Sequence, residues 1–304
     1  MRIGVAATPE VAFPTLEWLL SSDHELVLVV TRPDQPSGRG RILQESAVAA
    51  WASRNGIPCI KPLNSLDMAD DLANLDLVIT IGYGVILPEQ ILALPRYGFL
   101  NLHFSLLPQW RGAAPVNRAI LNGDTVSGIS VFALDKGMDT GPLYVQKEIQ
   151  ISSHENAGEL LASMAILGAS AVEQAIEMIR QGISPTVQKL AGVSRAEKIS
   201  KEETRISWNE NAEYIDRHIR AFTPEPGAWT TWRGEVVRIT SAHVFNFPII
   251  APQGSIIVDS GLVLVSCGNE SALVLEMLTP SGKKSMSAKS WLNGARLEIG
   301  EVFE

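Results

Sequence analysis

Cysteine is scarce in this sequence. Cys59 and Cys267 lie far apart in apolar surroundings, with no Cys or His beside either at ligand spacing. That excludes a disulfide framework and a thiolate metal cluster; two reduced, mostly buried thiols and no metal are expected. Positive charge is also short, with 25 Lys and Arg against 33 Asp and Glu and a net charge of −8. A chain that coats nucleic acid over its whole surface is excluded, because neutralising phosphates needs clustered Lys and Arg; any RNA contact must be local. Long apolar runs are missing too. Leu26 to Val30 and Leu77 to Ile81 are strand-sized, well short of the roughly 20 residues a bilayer crossing needs. The start, Met1-Arg2-Ile3-Gly4-Val5, has no secretory signal, so a cytosolic location is expected. Finally, Gly4 is followed by Val5, Ala6, Ala7 and Thr8, not by the glycine fingerprint of a dinucleotide site. This weighs against a nucleotide-dependent oxidoreductase.

What is present is an alternation. Short runs rich in Val, Ile and Leu at 2–7, 26–30, 57–60, 76–81 and 98–103 read as strands buried on both faces. Stretches of helical spacing separate them, such as Phe13, Leu16, Leu19 and Leu20. Strand and helix in turn predict an α/β fold, a doubly wound, mostly parallel sheet with right-handed crossovers. Further strands are predicted at 129–134 and 143–149, and a long helix at about 155–181 on the stripe Leu160, Met164, Leu167, Val172, Ile176 and Ile179. Residues 186–205 read as a linker after a domain at 1–185. In a second domain, 206–304, a helix near 211–221 precedes strand-like runs at 236–245, 254–258, 262–266 and 272–278, the pattern of a small OB-like β-barrel.

Three segments leave predicted strand ends, where open α/β sheets bind ligands. In Asn101-Leu102-His103, strand alternation turns a carboxamide and an imidazole to one face. Alone, such a histidine reads most simply as a core hydrogen-bonding group. The loop Asp135-Lys136-Gly137-Met138-Asp139-Thr140-Gly141 is turn-like at Asp135 and Gly137, but Asp139 could orient the histidine and support its protonated form. An oxyanion donor, a proton carrier and an acid/base partner are the set that acyl transfer to an amine requires. The third segment, Gly82-Tyr83-Gly84-Val85-Ile86-Leu87, has glycines that let a flat ligand approach the backbone.

The motifs N-x-H-x-S-L-L-P at 101–108 and D-x-G-x-D-T-G at 135–141 resemble those of the 10-formyltetrahydrofolate-dependent formyltransferases. The resemblance implies a catalytic trio of Asn101, His103 and Asp139. It also implies folate contacts at Val85, Ile86, Leu87, Ser105, Leu106, Leu107 and Pro108, with Asp135 and Gly137 in the adjoining loop. Within the family the likeness is nearest to members that formylate methionine carried on initiator tRNA. The basic stretch Thr31 to Arg41 resembles their tRNA-contacting loop, Arg111-Gly112-Ala113-Ala114-Pro115 follows S-L-L-P as it does in them, and Lys201-Glu202-Glu203 precedes their C-terminal module. Gly282 to Ala288 resembles a stretch near the end of that module. Arg39, Arg41, Lys283 and Lys284 are thereby implied as tRNA contacts, and the working unit as a monomer. Ala7 and Phe104 depart from the usual residues, and Phe104 bears on the pocket wall. Transfer to another amine, such as a sugar nucleotide, or to water remains an alternative with the same chemistry.

Overall fold

The computed structural model describes residues 1–37 and 42–304. Its elements run β1 (Arg2–Ala7), α1 (Phe13–Ser21), β2 (Glu25–Val30), β3 (Gln35–Ser37), β4 (Ile42–Gln44), α2 (Ala47–Arg54), β5 (Cys59–Ile60), α3 (Ala69–Leu72), β6 (Leu77–Ile81), α4 (Glu89–Leu92), β7 (Phe99–His103), β8 (Arg111–Gly112), α5 (Pro115–Asn122), β9 (Val126–Ala133), β10 (Leu143–Gln150), α6 (Ala157–Arg180) and β11 (Arg195–Ala196). After these come α7 (Ala212–Phe222), β12 (Ala228–Trp232), β13 (Glu235–Phe245), β14 (Ile256–Asp259), β15 (Leu262–Ser266), β16 (Ala272–Pro280), β17 (Met286–Ser287) and α8 (Ala288–Ala295). Two compact units emerge: Met1–Pro115 with Val126–Gln150 and Leu161–Glu197, and Val116–Thr125 with Ile151–Leu160 and Lys198–Glu304.

The first unit holds a seven-stranded sheet in the order β10-β9-β7-β6-β1-β2-β5. The five strands from β7 to β5 run parallel, while β9 pairs antiparallel with β7 and β10 antiparallel with β9. All five residues of β6 are buried, which is why its sequence is an apolar run without alternation. From β1 the chain goes to β2 on one side and later returns to β6 on the other. Strand order therefore reverses at β1, and the carboxyl ends of β1, β6 and β7 flank the crevice where such sheets take ligands.

The long helix α6 has the length and hydropathy of a membrane span. Its Met164, Val172, Ala175 and Ile176 are nonetheless buried in the fold. Gly168 lies so close over Leu102 that a Cβ there would meet the leucine at 2.5 Å. Leu102 thus packs under α6, and alternation sends Asn101 and His103 to the opposite face of β7. The segment after α6 carries structure of its own: Thr186 bridges Leu143, and β11 pairs in parallel with β8.

In the second unit, α7 packs Ile215, Ile219 and Phe222 against an antiparallel sheet ordered β12-β13-β16-β15-β14, with β17 on β16. Arg118 of α5 forms a bidentate pair with Glu203, whose carboxyl is held below its usual range chiefly by that hydrogen bond. Beside it, His218 is 6% exposed, lies edge-on to Phe222, and has Nε2 3.3 Å from the Thr204 carbonyl. Burial pulls the His218 pKa below its ordinary 6.5, against the opposing pull of the Thr204 carbonyl and Glu203. The unfolded chain therefore takes up the proton first, and this contribution to stability, full above pH 6.5, is lost as pH falls toward the folded pKa. Thermal melts from about pH 7.5 to about 5 should show the melting temperature falling, and His218→Leu should flatten that slope.

Candidate active site

Asn101 and His103 stand on one face at the carboxyl end of β7. The Asn101 amide donates from Nδ2 to Thr80 Oγ1 at 2.8 Å, and Thr80 passes its own proton to the Leu100 carbonyl at 3.1 Å. Because the threonine proton is committed, its oxygen must accept, and the group facing it must be the NH2 of Asn101. The second N–H of that amide takes no part in this bond.

His103 is 7% exposed and meets an acceptor on each side. Its Nε2 lies 2.9 Å from the Trp110 carbonyl, so that nitrogen carries a proton, and its Nδ1 lies 3.8 Å from Asp139 Oδ2. Burial holds the imidazolium below its ordinary range; the Asp139 charge and the Trp110 carbonyl pull it up. A ring so placed gives up a proton readily and can take one at Nδ1 beside a carboxylate.

The loop that carries Asp139 is built around tight packing. Asp135 Oδ1 accepts from Gly137 N at 2.9 Å and from Thr140 Oγ1 at 2.7 Å, closing an Asx-type turn. A Cβ on Gly141 would sit 1.7 Å from the Ala133 carbonyl, so only glycine fits there. Asp139 itself takes a left-handed φ of 54°, which aspartate tolerates better than most residues, and its Oδ2 accepts from Gly112 N at 2.7 Å.

The remaining residues singled out from the sequence fall into three groups. Val85 and Ile86 are exposed beyond the end of β6, at 40% and 79%, whereas Leu87 is buried in the core. Ser105 and Leu107 are buried, and the turn they form is pinned by Ser130, whose hydroxyl donates to the Ser105 carbonyl at 2.6 Å and accepts from Leu107 N at 3.0 Å. The side chain of Leu106 packs over Gly128, and Pro108 follows a cis peptide. Lys283 and Lys284 are exposed in the turn after β16, in the second unit. Arg39 and Arg41 lie outside the described residues; the flanking strands β3 and β4 pair antiparallel. Among the described residues no group of three or more His, Cys, Asp or Glu side chains gathers as a metal site.

Sequence reading missed Thr80, the Trp110 carbonyl, the Gly112 N–H, Ser130 and Gln188, all of which contact or brace the trio and its loops. Thr80 had a signal, a hydroxyl within the otherwise apolar run Leu77 to Ile81. The main-chain groups had none, since any residue supplies them.

The profile of the formyl transferase family matches residues 1–176, and that of its C-terminal domain matches 198–296. The chain belongs to the formyl transferase family. Among its relatives, a methionyl-tRNA formyltransferase of Acidothermus cellulolyticus is 41% identical over 100% of both chains, and one of Mycobacteroides abscessus is 44% identical over 98% of both. Two solved structures share the fold. An N-formyltransferase of Helicobacter canadensis, solved with folinic acid and dTDP-3-aminofucose, has a TM-score of 0.69 at 19% identity, over 90% of this chain and 98% of that one. HypX of Aquifex aeolicus, solved with tetrahydrofolic acid, has a TM-score of 0.68 at 15% identity, over 98% of this chain and 48% of that one.

Proposed function

We infer that the chain transfers the formyl group of 10-formyltetrahydrofolate to the α-amino group of methionine esterified to initiator tRNA, working as a monomer in the cytosol. The observation that supports the chemistry is His103 Nδ1 lying 3.8 Å from Asp139 Oδ2 at the end of β7, two residues along the same strand face from Asn101. Full-length identity to methionyl-tRNA formyltransferases supports the acceptor. The folate lies along the exposed end of the β6 loop at Val85 and Ile86, with Leu87, Ser105 to Pro108, Asp135 and Gly137 shaping its seat. The buried side chains among these contribute through backbone and shape.

The amine nitrogen attacks the formyl carbon, forming a carbon–nitrogen bond and a tetrahedral oxyanion. Asn101 donates its second N–H to that oxygen, and His103, once protonated, donates with it and adds its charge. The bond from carbon to N10 then breaks. The proton lost by the amine reaches N10 through His103 or a water held by Asp139, so no proton is gained or lost in the exchange.

Radiolabelled 10-formyltetrahydrofolate, offered with charged initiator tRNA, charged elongator tRNA, an amino-sugar nucleotide or water, tests the acceptor. Label in the initiator tRNA alone is expected; label in the sugar nucleotide or release to water in its place would overturn the reading.

Specificity for tRNA is assigned to the 31–41 loop and to Lys283 and Lys284. Guanidinium forks suit phosphate oxygens, and this loop carries Arg32, Arg39 and Arg41 against Asp34 alone in an acidic chain. Replacing Arg39 and Arg41 together by Ala should raise KM for the aminoacylated tRNA and lower the slope of log KM against log salt by about 2, one unit for each lost phosphate contact. An unchanged slope would move the contact elsewhere.

A further inference from the structure

His103 owes its two partners to residues in an unusual backbone state. Trp110, whose carbonyl meets Nε2, has a φ of 58°, and Asp139, beside Nδ1, has a φ of 54°. Side chains rarely adopt this left-handed conformation, so each must be held there by its surroundings. Both are held by the same stretch of chain, the one that reads as a linker in the sequence. Ser194 Oγ accepts from Trp110 N at 2.8 Å, and the Ser194 carbonyl accepts from Arg111 N at 3.0 Å. Gln188, 6% exposed, donates from Nε2 to the carbonyls of Asp139 at 3.0 Å and Gly141 at 2.8 Å. Its Oε1 accepts from Arg111 Nη2 at 2.6 Å. Arg111 adjoins Gly112, whose N–H holds the Asp139 carboxylate and whose Cα lies so near the Ala196 carbonyl that a Cβ would meet it at 2.5 Å.

We propose that Gln188 is a positioning residue for the transfer inferred above, its buried amide tying the Asp139 loop to β8 so that the carboxylate stays beside His103. The inference rests on that reading of the site. Both protons of the amide are committed to this bracing, and its oxygen accepts from Arg111. Glutamate is the informative replacement. Gln188→Glu keeps the volume and gives Arg111 a partner of opposite charge, but it sets a carboxylate oxygen against two carbonyls where the amide donated.

The test reads two quantities on folded protein. In steady-state formyl transfer, Gln188→Glu should lower kcat roughly ten- to a hundredfold, the scale of a small misplacement of reacting groups, with KM for the formyl donor changed less than about threefold. In a nitrogen-15 NMR titration of the imidazoles, His103 should titrate at lower pH in Gln188→Ala, which adds no charge of its own, because the carboxylate that raises it has withdrawn. Ser194→Ala, a milder change, should lower kcat several-fold and shift the same titration downward, since the Trp110 carbonyl also raises His103. Should Gln188→Glu fail to fold, Ser194→Ala and Gln188→Ala carry the test. A lowered melting temperature with wild-type kcat and an unmoved His103 titration would make Gln188 a stabilising residue only and overturn the proposal. His103→Ala assayed alongside separates the two claims: wild-type turnover there sinks the site assignment, while the titration still judges whether Gln188 places Asp139.

Discussion

Asn101→Ala is expected to lower kcat roughly a hundred- to a thousandfold, with KM for both substrates close to the wild-type values. The reason lies in when the interaction is made. The formyl carbonyl becomes an oxyanion only after the amine has attacked, so a donor aimed at that oxygen acts on the transition state far more than on the bound substrates. Thr80 fixes the amide in advance: its proton goes to Leu100, it can only accept from Asn101, and the amide cannot flip without setting two acceptors against each other. The other N–H is thereby aimed before substrate arrives. A preorganised donor of this kind contributes about 3–4 kcal/mol to transition-state stabilisation. Thr80→Val removes the orienting acceptor but keeps the shape, so its loss should be smaller and of the same kind, in kcat rather than KM. Turnover near wild type in Asn101→Ala, with its thermal melt unchanged, would refute the donor role.

The α/β unit was legible because its evidence is local. Strands buried on both faces must be apolar throughout, and β1, β2, β6 and β7 fall within a residue or two of the runs read from sequence. The C-terminal strands were less complete. Strand β12, Ala228–Trp232, was not predicted because Trp, Thr and Thr in succession give no clean alternation, and helix α8, Ala288–Ala295, was not predicted either. The trio could be singled out because strand alternation puts Asn101 and His103 on one face, and a carboxylate in a glycine-flanked loop is a familiar partner. What braces the trio could not be read. Gln188 lies about fifty residues from the carbonyls it holds, in a stretch whose Pro, Gly and scattered Lys resemble free chain. Composition reports how a segment would behave alone, whereas Thr186, Gln188, Ser194 and Ala196 are ordered by bonds to distant strands.

Asp139→Asn should lower kcat by about a hundred- to ten-thousandfold, the range of a positioned acid/base group, and its deficit should depend on pH. The substitution is nearly neutral for the fold. An amide oxygen can still accept from Gly112 N, and the bonds from Gln188 go to the main chain, which is unchanged. What disappears is the negative charge beside His103 Nδ1. Desolvation already holds the imidazolium below its ordinary range, and Asp139 is the larger of the two influences opposing it. Without that charge the ring titrates at lower pH, and an amide N–H placed in its stead can donate to Nδ1, which stabilises the neutral ring further. If His103 must be protonated to stabilise the oxyanion and deliver its proton, the variant is short of the active form wherever the wild type is not. The ratio of variant to wild-type kcat cancels the titration of the attacking amine, which is common to both. That ratio should therefore rise as pH falls, as the lowered His103 begins to protonate in the variant as well. A flat ratio would show that Asp139 acts by shape or by holding water, independent of the charge on His103, and the proton would then have to travel by a route that bypasses the imidazole.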